Sequence, residues 1–175
     1  MMPGIFIEDF ERTECTEFFH GVIGRMLILS ARFESMCSSL ALAIDVVGAR
    51  TSAGQSNETF DALVDAAIKK YRTTNSNINS LGMPEQVANA MHQARKARNE
   101  VAHSLPVGLT GCLDTKLDTA EFTDNLRPLV DDLVLGDIVI SLLITVFNGD
   151  PIPNGSVIND YKSKVWEWVT TEYES

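Results

Sequence analysis

From about Glu14 to Gly48 the chain repeats one pattern, with apolar residues at Phe19, Val22, Ile23, Met26, Phe33, Cys37, Leu40, Ala41 and Ile44. Steps of three and four put these side chains on one stripe of a helix that turns about 100° per residue. A strand would need apolar residues at every second position. A helix this long with a single apolar stripe must be covered by other elements, so the pattern predicts an all-α fold.

The rest of the chain supplies the covering helices. Gly48 and the following ARTSAGQSN read as a stop and a loop, and SNETF restarts a helix with Asn57 as N-cap. Phe60, Leu63, Val64, Ala67, Ile68 and Tyr71 form its expected buried stripe. The polar run TTNSNINS and Gly82 separate it from a third helix that Pro84 opens and Pro106 ends, near Ser104. Val87, Ala88, Met91, Ala94, Ala97 and Val101 face inward on that helix. VGLTGCLD reads as a loop or a short hairpin. Asp118 with Glu121 three residues later resembles a capping box, opening a short helical piece that Pro128 kinks or ends. From Leu129 to Phe147 apolar residues cover most of a helix circumference, as in a helix buried on several sides. After NGDPIPNGS, Ile158, Tyr161, Val165, Trp168 and Val169 mark a last helix over about residues 156–173. The expected architecture is a bundle of about five helices within one domain spanning 1–175, with a long first helix and a buried fourth.

Composition narrows the function classes. The formal charge of -10 repels a polyanion in general, so any nucleic-acid role depends on a local basic patch. MMPGIFIEDFERTEC has no basic segment followed by an apolar run, as a secretory signal would. The uncharged part of the run from Leu129 to Phe147 is about half of the roughly 20 residues a bilayer span needs. Cys15, Cys37 and Cys112 are odd in number and contain no C-x-x-C pair, which argues against a disulfide framework and a zinc site. His20 and His92 have no ligand partner at helical spacing and read as structural, so no metal or cofactor is expected. These features together predict a soluble, cytoplasmic protein with no membrane role.

The chemistry-bearing stretch is ARKARNEVAHS, residues 94–104. On an α-helix Arg95, Asn99 and His103 share a face at steps of four, with Arg98 offset by about 100°. Histidine exchanges protons near neutral pH, and arginine presents a planar fork of donors matched to phosphate oxygens. Arg98 and His103 are thus the groups needed for metal-free cleavage of an RNA phosphodiester, with Asn99 orienting either one. Arg95 and Lys96 are the candidate RNA-binding patch. Lys69, Lys70 and Arg72 end the second helix, which antiparallel packing sends to the opposite end of the bundle. One histidine cannot serve as acid and base in the same step, so a two-fold dimer that brings two copies of His103 together would complete the site.

RNEVAH resembles the motif of the HEPN superfamily, in which an arginine and a following polar residue precede a histidine by a short helical interval. The order of helices is similar over most of the chain, and the segment after about residue 150 is an addition. The resemblance implies a helical bundle, a homodimer with the motifs facing across its axis, and metal-independent endoribonuclease activity leaving 2',3'-cyclic phosphates. It also implies a supporting acidic residue on the first helix, a position that Glu34 in ARFESM matches. A toxin or defence effector acting on RNA, with an antitoxin or regulatory protein as partner, follows from the same likeness. The branch with a nucleotidyltransferase antitoxin carries Tyr two residues after the histidine, where this chain has Leu105, so a tyrosine-modifying partner is not expected. The competing expectation is a non-catalytic domain that uses the same edge only to dimerise or to bind a protein, in which His103 only faces the last carbonyls of its helix. Trp166 and Trp168, two apart on the last helix, are expected to be one packed and one exposed.

Overall fold

The computed structural model describes residues 14–53, 57–70, 73–105 and 118–171, which are all-helical. α1 spans Glu14–Ala53, α2 Asn57–Lys70, α3 Thr74–Ser80, α4 Glu85–Asn99, α5 Thr119–Asn148 and α6 Gly155–Thr170. α4 runs on into a π-helical turn at Glu100–Ser104. The stretch VGLTGCLD, Tyr71, Arg72, Pro106 and Cys112 lie outside the described residues, as does the side chain of Cys15.

The predicted stripe of α1 is the spine of the core. Phe19, Val22, Ile23, Met26, Phe33, Cys37, Leu40 and Ala41 are all buried, while Ile44 is exposed. α1 also continues past Gly48, because a single glycine costs a helix only about 1 kcal/mol and the next residues, to Ala53, still turn helically. By length and hydropathy α1 could cross a membrane, and a third of its most apolar window is buried within the bundle.

α1 and α5 run parallel: Phe19 meets Phe122 edge-on at 4.4 Å, and about four turns further along both helices Phe33 packs on Gly136. α4 runs antiparallel to both. Its Met91 and Ala94 share a core with Phe33, Cys37 and Ile140, and its Ala97 and Val101 share another with Met26, Leu126 and Val130. α6 descends antiparallel to α5 through Tyr161 on Asp137, Lys162 on Asp131 at 3.1 Å, and Trp166 beneath the Arg127 guanidinium at 4.1 Å. The Arg25 Nε donates to the Val169 carbonyl at 2.9 Å and ties the end of α6 back to α1.

Four expectations are corrected. The run TTNSNINS is α3 and not a connector: Thr73 accepts from the Ser76 N–H at 3.1 Å, Ser76 answers the Thr73 N–H at 3.3 Å, and Ile78 is buried. This reciprocal cap compensates for residues of poor helix propensity. The predicted stripe of α2 is mostly outside the core. Among its described residues only Ala67 is buried, while Leu63 and Ile68 are exposed, because α2 packs mainly against α1. Pro128 neither ends nor separates a helix, since α5 passes through it as one 30-residue element. The Pro128 ring is exposed, so its missing N–H removes one outer hydrogen bond while packed Leu126, Val130 and Leu133 hold the helix in line. The expected fourth helix is therefore the second half of α5. Its buried residues run to Ile140, and Val146 and Phe147 at its end are exposed. On α6 Trp168 is exposed and Trp166 packs against the core.

The closest approach in the bundle is at Gly136. A Cβ there would overlap the Cβ of Ala94 and come within 2.9 Å of Phe33 Cε2. Gly136→Ala is therefore expected to destabilise the fold by about 1–3 kcal/mol through overpacking. Thermal melting should show this as a Tm lower by several degrees, and a variant melting with the wild type would contradict the three-helix contact.

Candidate functional site

The residues singled out on α4 and α1 meet. Glu34 lies on α1 next to Phe33, and Arg98 lies one turn beyond Ala94 on α4, so the packing at Gly136 fixes the two backbones that carry them. Arg98 Nη2 donates to Glu34 Oε2, and Arg98 Nη1 donates to Asn99 Oδ1 at 3.1 Å. The ion pair is only partly covered, with side-chain exposures of 25% for Arg98 and 37% for Glu34. Water and salt thus reach it, and its contribution to stability falls in the range of roughly 0–1 kcal/mol for accessible pairs. Its main effect is to orient the guanidinium. Two of the five Arg98 N–H donors are engaged, which leaves the others for a ligand.

His103 is exposed on the π turn and makes no hydrogen bond or ion pair among the described residues. The turn changes its direction. In an α-helix residues five apart point about 140° away from each other, whereas a π turn closes between residues five apart. The Leu105 N–H bonds to the Glu100 carbonyl in that manner. The turn that carries His103 therefore departs from the α-helical spacing that relates it to Arg98 and Asn99 in the sequence. The Ser104 hydroxyl donates to Glu100 Oε2 at 3.0 Å across the same turn.

One turn earlier, Lys96 is exposed and Arg95 is half-buried, with its Nε covered and without an acceptor. Neither has an ion-pair partner among the described residues. His92 donates or accepts at 3.2 Å with Asn79, and its pKa is lowered by burial and by Arg95 and Lys96. It links α3 to α4. Lys70 pairs with Asp45 at 3.2 Å, about three turns beyond Glu34 along α1, and takes no part in this edge.

Two residues in the neighbourhood escaped notice in the sequence. Thr74, buried at the start of α3, donates its hydroxyl to Glu34 Oε1 at 2.8 Å. Its signal was the Thr73-x-x-Ser76 capping pattern, which uses Ser where Glu or Gln is usual. Asp137 is fully buried and receives the Arg32 Nε at 2.9 Å and the Tyr161 hydroxyl. An aspartate among the apolar residues of α5 was the available clue, because a buried carboxylate needs partners. This second cluster joins α1, α5 and α6 and stands apart from Arg98.

A cavity of about 180 Å³ lies beside it between α5 and α6, lined by Ile138, Leu142, Val157, Ile158, Tyr161 and neighbouring residues. None of the motif residues lines this cavity. Among the described residues no three His, Cys, Asp or Glu side chains gather as a metal-binding group. Cys37 is buried, and burial together with the charges of Asp137 and Glu34 pushes its thiol up to about 12, leaving it a core side chain with little thiolate.

Comparison of the chain with family models, with curated proteins and with solved structures gave no match.

The Tyr161 phenol is raised from 10.0 to about 12, first by burial and then by its bond to Asp137 and that carboxylate's charge, with Arg32 opposing. Its folded value exceeds its unfolded value, so its stabilisation is complete below pH 10 and is lost as pH rises to about 12. Urea unfolding across that window should show a smaller loss of stability in Tyr161→Phe than in wild type. Equal losses would place the ionisation elsewhere.

Proposed function

We propose that this chain is a HEPN-like, metal-independent endoribonuclease whose site is completed by a second copy. The observation that carries this reading is the Glu34–Arg98–Asn99 network beside the exposed His103. Residues 64 positions apart, nominated for one chemistry, come together at an accessible edge. The α-helical bundle is compatible with the family, and α6 is then the added segment.

In the proposed reaction His103 of one protomer takes the proton from a ribose 2'-hydroxyl. That oxygen attacks the adjacent phosphorus, and the 5'-oxygen leaves with a proton from the partner subunit's His103. The products are a 2',3'-cyclic phosphate and a 5'-hydroxyl end. The Arg98 guanidinium stabilises charge on the non-bridging oxygens through its unengaged donors, the part a metal ion plays in other phosphoryl-transfer sites. Glu34 keeps the guanidinium aimed, and Asn99 holds its other edge. Arg95 and Lys96 extend the positive surface along α4 for the RNA backbone, which the net charge of the whole chain would otherwise repel. The partners are a second copy, RNA and a regulatory protein such as an antitoxin, and the setting is cytoplasmic, as for a toxin or phage-defence effector.

A second reading is a non-catalytic dimerisation or protein-interaction domain. The Arg98–Glu34 pair favours it, because a guanidinium that already has a carboxylate gains less from a phosphate. Cleavage separates the two.

Purified protein should cut total cellular RNA in excess chelator. Arg98→Ala and His103→Ala should each lose about 10²-fold or more in rate while keeping wild-type helix content. Equal cleavage by wild type and His103→Ala, or activity abolished by chelator and restored by magnesium, would overturn the mechanism.

A further inference from the structure

The Arg98 guanidinium is aimed by Glu34, and Glu34 is itself held. One carboxylate oxygen meets Arg98 and the other accepts the Thr74 hydroxyl at 2.8 Å. Thr74 is 6% exposed, so this hydroxyl is shielded and has the carboxylate as its acceptor. A hydrogen bond to a charged oxygen is shorter and stronger than one between neutral groups. With both oxygens engaged, rotation of the Glu34 carboxyl is restrained, and the plane of the Arg98 fork follows from it.

The backbone that delivers Thr74 is also fixed locally. Thr73 caps α3 by accepting from the Ser76 N–H, and Ser76 returns a bond to the Thr73 N–H. Buried Ile78, one turn on, seats α3 on Phe33, Cys37 and Leu40 of α1, next to Glu34. The order of constraint runs from the α3 cap to Thr74, to Glu34, to Arg98 and to Asn99.

We propose that Thr74 is a positioning residue for the Arg98 phosphate clamp. The inference rests on the nuclease reading for its consequence in catalysis and on the hydrogen-bond network alone for its geometry. Thr74→Val keeps the shape and removes the hydroxyl, Thr74→Ala removes both, and Thr74→Ser keeps the hydroxyl. In the Val variant Glu34 retains its charge and loses its restraint, so Arg98 samples orientations that do not meet the phosphorane oxygens. Substrate binding, spread along Arg95 and Lys96, is little affected.

The test takes two readouts on the same proteins, with circular dichroism selecting between Val and Ala if one of them loses helix. In nitrogen-15 spectra of the arginine side chains, the Arg98 Nη signals are identified by their loss in Arg98→Lys. They should be restricted in rotation in wild type and Thr74→Ser, and averaged in the hydroxyl-free variant. With an RNA oligonucleotide cut by wild type, the hydroxyl-free variant should lose roughly ten- to a hundredfold in kcat, with KM within about twofold and recovery in Thr74→Ser. Unchanged Arg98 signals in the hydroxyl-free variant, or a loss that Thr74→Ser does not recover, would overturn the proposal. Signals that follow the hydroxyl in a wild-type protein that cuts no RNA would uphold the positioning and sink the nuclease reading. Unchanged signals in a protein that does cut RNA would do the reverse.

Discussion

The contact of Phe33, Ala94 and Gly136 sets the register on which the rest of the molecule depends. Only a residue without a Cβ lets α5 approach α1 and α4 so closely. Packed interiors are intolerant of extra volume, so the approach fixes the axial positions of the three helices together. Glu34 follows Phe33 in sequence, and Arg98 follows Ala94 by one turn. The meeting of a carboxylate and a guanidinium at the surface is thus decided by three apolar or small residues beneath them. The exposed pair need contribute little to stability for its geometry to be reproducible.

The two polar clusters of the bundle divide the work. Asp137 is sealed between α1, α5 and α6 and bound by Arg32 and Tyr161, which satisfies a carboxylate that the core would otherwise reject. It secures α6. The Glu34 cluster is half open and, among the described residues, leaves donors of Arg98 unengaged, with Lys96 exposed on α4 and His103 exposed on the turn that follows. Open position and spare hydrogen-bonding capacity are properties a reacting site requires, and the Asp137 carboxylate, fully buried and bonded on both oxygens, has neither. In an acidic chain, Arg95, Lys96 and Arg98 of α4 are a local run of basic residues, on which the proposed RNA binding rests.

Much of this was legible in the sequence because it depends on periodicity. The stripe of α1 and the inward face of α4 appear as buried side chains from Phe19 to Ala41 and from Met91 to Val101. The pairing of Glu34 with Arg98 was legible only through the resemblance, because nothing in the spacing of residues 64 apart states which helix faces pack. Where tertiary structure overrides local preference the sequence misled. Pro128 sits in a continuous helix because its neighbours are anchored on both sides. TTNSNINS is helical because of a cap that spends two serine and threonine side chains on the backbone. α2 has an apolar pattern without a core to bury it in. The π turn at Glu100–Ser104 was not legible, and it departs from the α-helical spacing drawn for Asn99 and His103.

If the site is built by two copies, each active unit needs His103 from both chains, and this can be measured directly. Wild type and His103→Ala protein are mixed in varying proportion, subunits are allowed to exchange, and RNA cleavage is followed at constant total protein. The composite site predicts activity falling as the square of the wild-type fraction, since a mixed pair has a single histidine for two proton transfers. Activity falling in direct proportion to the wild-type fraction would mean that each chain carries a complete site, and the account given for Arg98 and His103 would be contradicted.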